Sequence, residues 1–197
     1  MHERARQTNT RAIEDPDTAL VHRIGQGDQV AAAEIVRRHL SKMVALARHM
    51  LGDASEAEDV AQEVFMKVWQ NAGRWQPGKA KFETWMHRVA INLCYDRLRR
   101  RREIYTDQMP ERADEDSPGP DQSIMDAQLS EQVETAMMQL PPRQRAALSL
   151  CHLQDMSNTE AAHTLQISVE ALESLLARGR RGLRKHMAEF APILLER

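Results

Sequence analysis

Between Lys81 and Arg102 the chain reads KFETWMHRVAINLCYDRLRRRR. Phe82, Trp85, Met86, Val89, Ala90 and Leu93 recur there at spacings of three and four, which places them on one face of a helix. That face needs a core. Thr84, His87, Arg88, Asn92 and Tyr95 fall on the opposite side, and Arg97, Arg99, Arg100, Arg101 and Arg102 crowd the end. Cations, amides and aromatics on one surface are the groups that hold phosphates and stack on bases. The plainer alternative is a solvated helix whose arginines favour its own C-terminal dipole.

The remainder is also helical in character. Aromatics are few, while Ala, Leu, Met, Glu, Gln and Arg are abundant, which favours helix. With 197 residues there is room for one domain or two small ones. No segment approaches the roughly 20 apolar residues of a membrane span. The opening MHERARQTNTRAIEDPD has no apolar stretch to act as a secretory signal, so residues 1–16 read as a disordered tail. Cys94 and Cys151 are the only cysteines and form no CxxC, which suggests neither a disulfide framework nor a zinc site. A cytoplasmic protein fits these features, without metal or cofactor.

A net charge of −2 conceals a pattern. Cations gather at 97–102 and again at Arg178, Arg180, Arg181, Arg184 and Lys185, with acids between, from Asp107 to Asp121. Local field decides what docks, because exposed charges are screened beyond about 10 Å at moderate salt.

Along the chain, Asp17 to Gly25 reads as a short helix capped by Asp17. Asp28 caps a longer one to Leu51, with Val30, Ala33, Ile35, Val36, Leu40, Val44, Leu46 and Ala47 as its stripe, and Gly52 stops it. A third helix, Glu56 to Gln70, buries Ala57, Val60, Ala61, Val64, Phe65 and Val68. Asp59, Gln62 and Glu63 share its exposed face, either as a solvated acidic patch or as a docking surface for a basic helix. Gly73, Pro77 and Gly78 exclude regular helix from the next segment, which carries Trp75 and Lys79. Trp75 reads either as a lid on the core or as a wall for an unstacked base.

From Tyr105 to Asp121 the apolar periodicity dissolves into prolines and acids, marking a flexible linker and a domain boundary. Ser123 is placed as the cap of the next helix. Leu140-Pro-Pro-Arg-Gln-Arg145 then opens a helix to Leu153, with Pro142 in its first turn. Ser157 and Glu160 form a capping box for a short helix, Asn158 to Leu165. After the turn Gln166-Ile-Ser168, a long basic helix runs from Val169 to Met187. Short helix, tight turn and basic second helix make the helix-turn-helix pattern, which helical hairpins unconnected with DNA also share.

Three stretches together resemble the extracytoplasmic-function (ECF) group of bacterial sigma-70-like factors: Ala57-Glu-Asp-Val-Ala-Gln-Glu-Val-Phe65, Phe82-Glu-Thr-Trp-Met-His-Arg-Val-Ala-Ile-Asn92, and Leu140-Pro-Pro-Arg-Gln-Arg145 with its helix-turn-helix. The resemblance implies an all-α chain of two small helical domains joined by a flexible acidic linker. A sigma-2-like domain would occupy 17–102, a linker 103–122, a sigma-4-like domain 123–190 and a tail 191–197. It implies docking on core RNA polymerase, at the β′ clamp and the β flap, with Asp59, Gln62, Glu63 and Phe65 at the clamp. The −10 promoter element would be opened by Trp75, Lys79, Trp85, Arg88 and Asn92, with phosphates held by Arg99, Arg100, Arg101 and Arg102. The −35 element would meet Ser168, Glu170, Ala171, Glu173, Ser174, Arg178 and Arg181. A stress-response regulon, an anti-sigma factor and a cytoplasmic, nucleoid-associated location follow from the same likeness. Family recognition helices often carry lysine and arginine where this chain has Glu173 and Leu175. Glu170 and Glu173 repel phosphate, although a glutamate accepts from cytosine N4 in the major groove.

Two other classes compete. A helix-turn-helix regulator working without polymerase explains the basic helices but leaves the Asp59 face and the Trp75 loop idle. An enzyme finds no support: the chain has no Walker loop, no G-x-S-x-G and no H-E-x-x-H, and its histidines are scattered.

Overall fold

The computed structural model describes residues 15–76, 81–107 and 132–188, with side chains left out at 104–107. The first half holds α1 (Thr18–Gly25), α2 (Gln29–Leu51), α3 (Ala54–Asn71), a 3-10 turn (Ala72–Arg74) and α4 (Phe82–Asp107). The second half holds α5 (132–138), α6 (Pro142–Leu148), a π-helical turn (Ser149–Leu153), α7 (Asn158–Leu165) and α8 (Val169–Ala188). The described residues contain no strand. Lys79, Ser123 and the linker beyond Asp107 lie outside the described residues.

The helix boundaries follow local chemistry. Asp28 accepts from the backbone of Val30 and Ala31 to start α2, and Gly52 ends it in the left-handed region at φ 68°. Asp53 accepts from Glu56 N to start α3. Ser157 and Glu160 close the expected capping box on α7.

Three expectations shift. Asp17 makes no side-chain cap; its carboxylate is buried against His39 at 2.7 Å and Arg38 at 3.0 Å. The hydrogen bond to His39, helped by Arg38, holds that carboxyl below its ordinary value. The N-terminus of α4 is capped from a distance instead, by Asp15, which accepts from Phe82 N. α4 also continues beyond Arg102 to Asp107, aided by Glu103 one turn after Arg99.

α2 carries two apolar lines, and the core takes the one the sequence reading only half selected. Ala31, Ile35, His39, Met43, Leu46 and Met50 point inward, while Val30 is 73% exposed and Leu40 is exposed. Val36 and Val44 lie between them, half-buried. Two i, i+4 rows on one helix cannot both face a single neighbour.

The two halves share one hydrophobic cluster, running from Val21 and Ile35 through Phe82 and Met86 to Leu150, Ala161 and Leu172. α7 packs on α4, and the π turn packs on α2. Thr84 and His87, two residues expected on an open polar face, are buried, at 4% and 1% exposed. The His87 ring lies 2.8 Å from Glu83 O through Nδ1 and 3.3 Å from the Gln154 side chain through Nε2. Cys94 is a packing residue whose thiol burial pushes up to about 12, far from the reactive range.

Burial holds both His87 and His49 below the ordinary histidine value. Around His87, Lys42 adds to this effect, whereas the Glu83 carbonyl and carboxylate and Gln154 oppose it. Both rings therefore resist protonation in the folded chain and take up protons more readily once exposed. As pH falls through about 6.5, the unfolded state binds protons first, so stability is lost on acidification. The expected result is a lower thermal midpoint at pH 5.5 than at 7.5. His87→Gln, which cannot titrate, should flatten part of that slope in differential scanning calorimetry; an unchanged slope would remove His87 from the account.

Candidate nucleic-acid interface

The buried ring of Phe82 sits at the start of α4 and organises the tryptophans around it. Trp75 meets it edge-on at 5.6 Å between ring centroids, and Trp85 stacks on it at 5.6 Å and 28°. The 3-10 turn after α3 carries Arg74 to the same place. A cavity of about 420 Å³ results, lined by Asn71, Arg74, Trp75, Gln76, Thr84, Trp85, Arg88 and His163. Two indole faces, two guanidinium groups and amide side chains around one hollow suit a planar, hydrogen-bonding, anion-linked ligand. Trp75 thus covers Phe82 and also lines the cavity.

Of the residues assigned to −10 DNA, Trp75, Trp85 and Arg88 meet at this cavity. Asn92 is exposed one turn further along α4. The arginine run divides. Arg99 pairs with Asp96 at 3.0 Å, and Arg100 and Arg102 are exposed. Arg101 turns inward, with Glu56 at 2.9 Å and Leu51 O at 3.0 Å, where its charge caps the end of α2. Asn71, Arg74, Gln76 and His163 were not singled out by periodicity. Asn71 ends α3, Arg74 and Gln76 flank Trp75 just after it, and His163 comes from the other half of the chain.

On α3, Asp59 and Gln62 are exposed, and Glu63 is partly engaged by Arg97 at 3.2 Å. Phe65, expected on that surface, is 3% exposed and forms the floor of an apolar groove. Val36, Leu40, Val44, Glu58, Gln62 and Trp69 line this groove, about 410 Å³ in volume. The apolar side chains actually presented nearby are Leu40, Met66 and Trp69. They come from the outward line of α2 and from α3, so the periodicity of α3 alone does not reveal them.

In the second half, α7 and α8 meet across Gln166, whose φ of 56° makes the tight turn. Leu172 and Leu176 are buried, and Ser168 accepts from Ala171 N to cap α8. Ser168, Glu170, Ala171, Glu173, Ser174, Arg178 and Arg181 are all exposed.

These two arrangements have counterparts among known proteins. Residues 35–104 match the family described as Sigma-70 region 2, and residues 130–183 match Sigma-70, region 4. SigW of Bacillus subtilis, an ECF RNA polymerase sigma factor, is 30% identical over 86% of this chain and 96% of its own length. The chain belongs to the ECF family of RNA polymerase sigma factors. SigE of Mycolicibacterium smegmatis is 36% identical over 84% of the chain and 66% of SigE. The sigma factor RpoE of Bartonella quintana, solved with the anti-sigma factor NepR, has the same fold. It superposes with a TM-score of 0.66 at 21% identity, over 79% of this sigma factor and 96% of RpoE. In this sigma factor, region 2 supplies the α3 groove and all of the tryptophan cavity but His163, and region 4 includes α7 and most of α8.

Proposed function

We propose that this sigma factor binds core RNA polymerase, opens the −10 element of its promoters and reads the −35 element with α8. The observation that carries this reading is the cavity walled by Trp75, Trp85 and Arg88, in the same chain as a helix-turn-helix with a continuous exposed face. A base flipped out of the duplex needs a preshaped aromatic slot with cations close by, since unstacking costs a few kcal/mol. Trp75, Trp85 and Arg88 supply the slot, Asn92 and Lys79 contact its neighbours, and Arg99, Arg100 and Arg102 hold the flanking phosphates. Arg101 joins them only if its bond to Glu56 is released. On α8, Arg178 and Arg181 hold phosphate, and Glu170, Glu173 and Ser174 read base edges beside Ser168 and Ala171. The domain limits are proposed at 17–102 and 123–190.

Asp59, Gln62 and Glu63 form the polar rim, and the groove over Phe65 the apolar floor, of the surface for the polymerase β′ clamp; the β flap is assigned to region 4. RpoE is known with an anti-sigma factor, and a counterpart is proposed here, released under stress to free a dedicated regulon. No helix among the described residues is long and apolar enough to cross a membrane. The site of action is proposed to be the cytoplasmic nucleoid.

The test is transcription in vitro from sheared genomic DNA, using bacterial core polymerase with and without the protein and mapping RNA 5′ ends. New starts sharing paired upstream motifs are expected. No new starts, together with tight duplex binding by the protein alone, would favour a regulator that works without polymerase. Asp59→Ala with Gln62→Ala is expected to weaken polymerase binding roughly tenfold, about 1–2 kcal/mol, with unaltered circular dichroism because both side chains are exposed. Unchanged affinity would move the docking surface elsewhere.

A further inference from the structure

Phe82, the ring that carries both tryptophans of the cavity, is itself held by the residues that lead into α1. Asp15 accepts from Phe82 N with one carboxylate oxygen and from Asp17 N, at 2.9 Å, with the other. The Asp17 carboxylate in turn accepts from His39 Nε2 of α2 at 2.7 Å and from Arg38 at 3.0 Å. The His39 ring then returns to Phe82, edge-on at 6.4 Å between centroids. Phe82 is thus gripped at its backbone and at its ring, and both grips run through residues 15–17. The same ring meets Trp75 and Trp85, each at 5.6 Å.

Asp17 is 3% and His39 5% exposed, and His39 Nδ1 is buried without a hydrogen-bond partner. A buried pair with an orphaned ring nitrogen stabilises little over apolar side chains of similar volume; what it fixes is geometry. Asp15 and Asp17 also stand upstream of residues 35–104, which match region 2. We propose that Asp15, Asp17 and His39 are positioning residues for promoter opening: they form a clasp that seats Phe82 and, through it, sets the two indoles at the spacing a flipped base needs. This inference rests on the reading of that cavity as the base pocket. A slot whose central ring can rock must be ordered at each opening event, and a misplacement of about 1 Å costs up to about a hundredfold.

Asp17→Leu with His39→Leu removes the polar link and the ring edge while filling their space. Asp17 makes no helix cap and Arg38 keeps Glu34 at 2.7 Å, so no other partner is stranded. The thermal midpoint should stay near the parent's, as when a buried ion pair gives way to apolar residues. Affinity for core polymerase should hold. Opening should fall roughly tenfold, read with the holoenzyme by permanganate footprinting of the −10 element on a promoter recovered from the mapped starts. Asp17→Asn with His39 retained keeps the hydrogen bond and should restore opening to near the parent level.

His39→Gln is the finer variant, because its amide still donates to Asp17 but no ring meets Phe82. Near-ultraviolet circular dichroism of the free protein, with Trp69→Phe so that only the two cavity indoles remain, should change in His39→Gln and in the leucine pair, and return in Asp17→Asn. This spectrum is read whether or not promoters are found. A parent-like spectrum in His39→Gln and the leucine pair, or opening lost only in proportion to the thermal midpoint, would overturn the clasp. A changed spectrum with normal opening would leave Phe82 seated by the clasp and reject the cavity as the base pocket.

Discussion

Arg145→Met is expected to lower the unfolding free energy by about 2–4 kcal/mol, because three buried carbonyls lose their donor while the cost of burying the charge is relieved. The guanidinium is 4% exposed and donates to three carbonyls: Met50 O at 2.5 Å, Met138 O at 3.0 Å and Leu140 O at 3.0 Å. Met50 lies in the last turn of α2, where carbonyls have no partner within the helix and the dipole is negative. The other two carbonyls end α5 and lead into α6. One planar fork therefore caps the ends of two helices from the two halves. Methionine matches the side-chain volume but leaves all three oxygens buried and unpaired, each at a cost of about 1–3 kcal/mol.

Arg145→Lys keeps the charge, yet a single ammonium cannot span three diverging acceptors, so it should fall between the parent and methionine. Urea unfolding of the full chain measures this as a shift in midpoint at constant slope. A loss below about 1 kcal/mol for methionine would mean that water reaches these carbonyls, and the clamp would have to be abandoned.

Gly25→Ala should destabilise by about 1–3 kcal/mol, the usual cost of overpacking, although alanine ordinarily favours a helix over glycine by about 0.5–1 kcal/mol. A Cβ at Gly25 would lie 2.9 Å from Gly73 Cα and 3.1 Å from Gly73 N. These are backbone atoms with no rotamer to change, so the 3-10 turn Ala72–Arg74 must move. Arg74 and Trp75 ride on that turn, and the cavity changes shape with it.

Two consequences are expected together: a lower thermal midpoint and promoter opening impaired beyond what the lost stability explains. Gly73→Ala is the control, because its Cβ would find Gly25 O no nearer than 3.8 Å, an ordinary contact. Near-ultraviolet circular dichroism of the tryptophans, read at a temperature where both variants are folded, separates a displaced turn from simple unfolding. If both substitutions behave alike, the close approach of α1 to the turn is not what positions Trp75.

Local chemistry made the helices legible from the sequence. Asp28, Gly52, Asp53 and the Ser157–Glu160 box each act within four residues, so their hydrogen bonds are written in the chain. The buried row of α3 was equally plain, since that helix packs a single stripe. The exposed face of α8 and the tryptophan loop beside α4 followed from the same spacing, as did the three motifs that resemble the family.

What periodicity could not assign was the choice between surfaces that both look usable. α2 carries two apolar lines, and only packing against α3 and α4 decided that Ile35 faces the core while Leu40 faces a groove. Thr84 and His87 have the polarity of an exposed face yet are buried, and His87 meets Gln154, more than sixty positions away. Arg101 stood in the sequence as a cation for phosphate and Arg145 as part of a motif; that each also reaches a distant helix end was not written there. Helix ends, caps and stripes depend on neighbours three or four residues apart, which the sequence states directly. Which stripe is covered and which charge is neutralised depend on contacts between segments far apart in the chain, and only the tertiary structure brings those together.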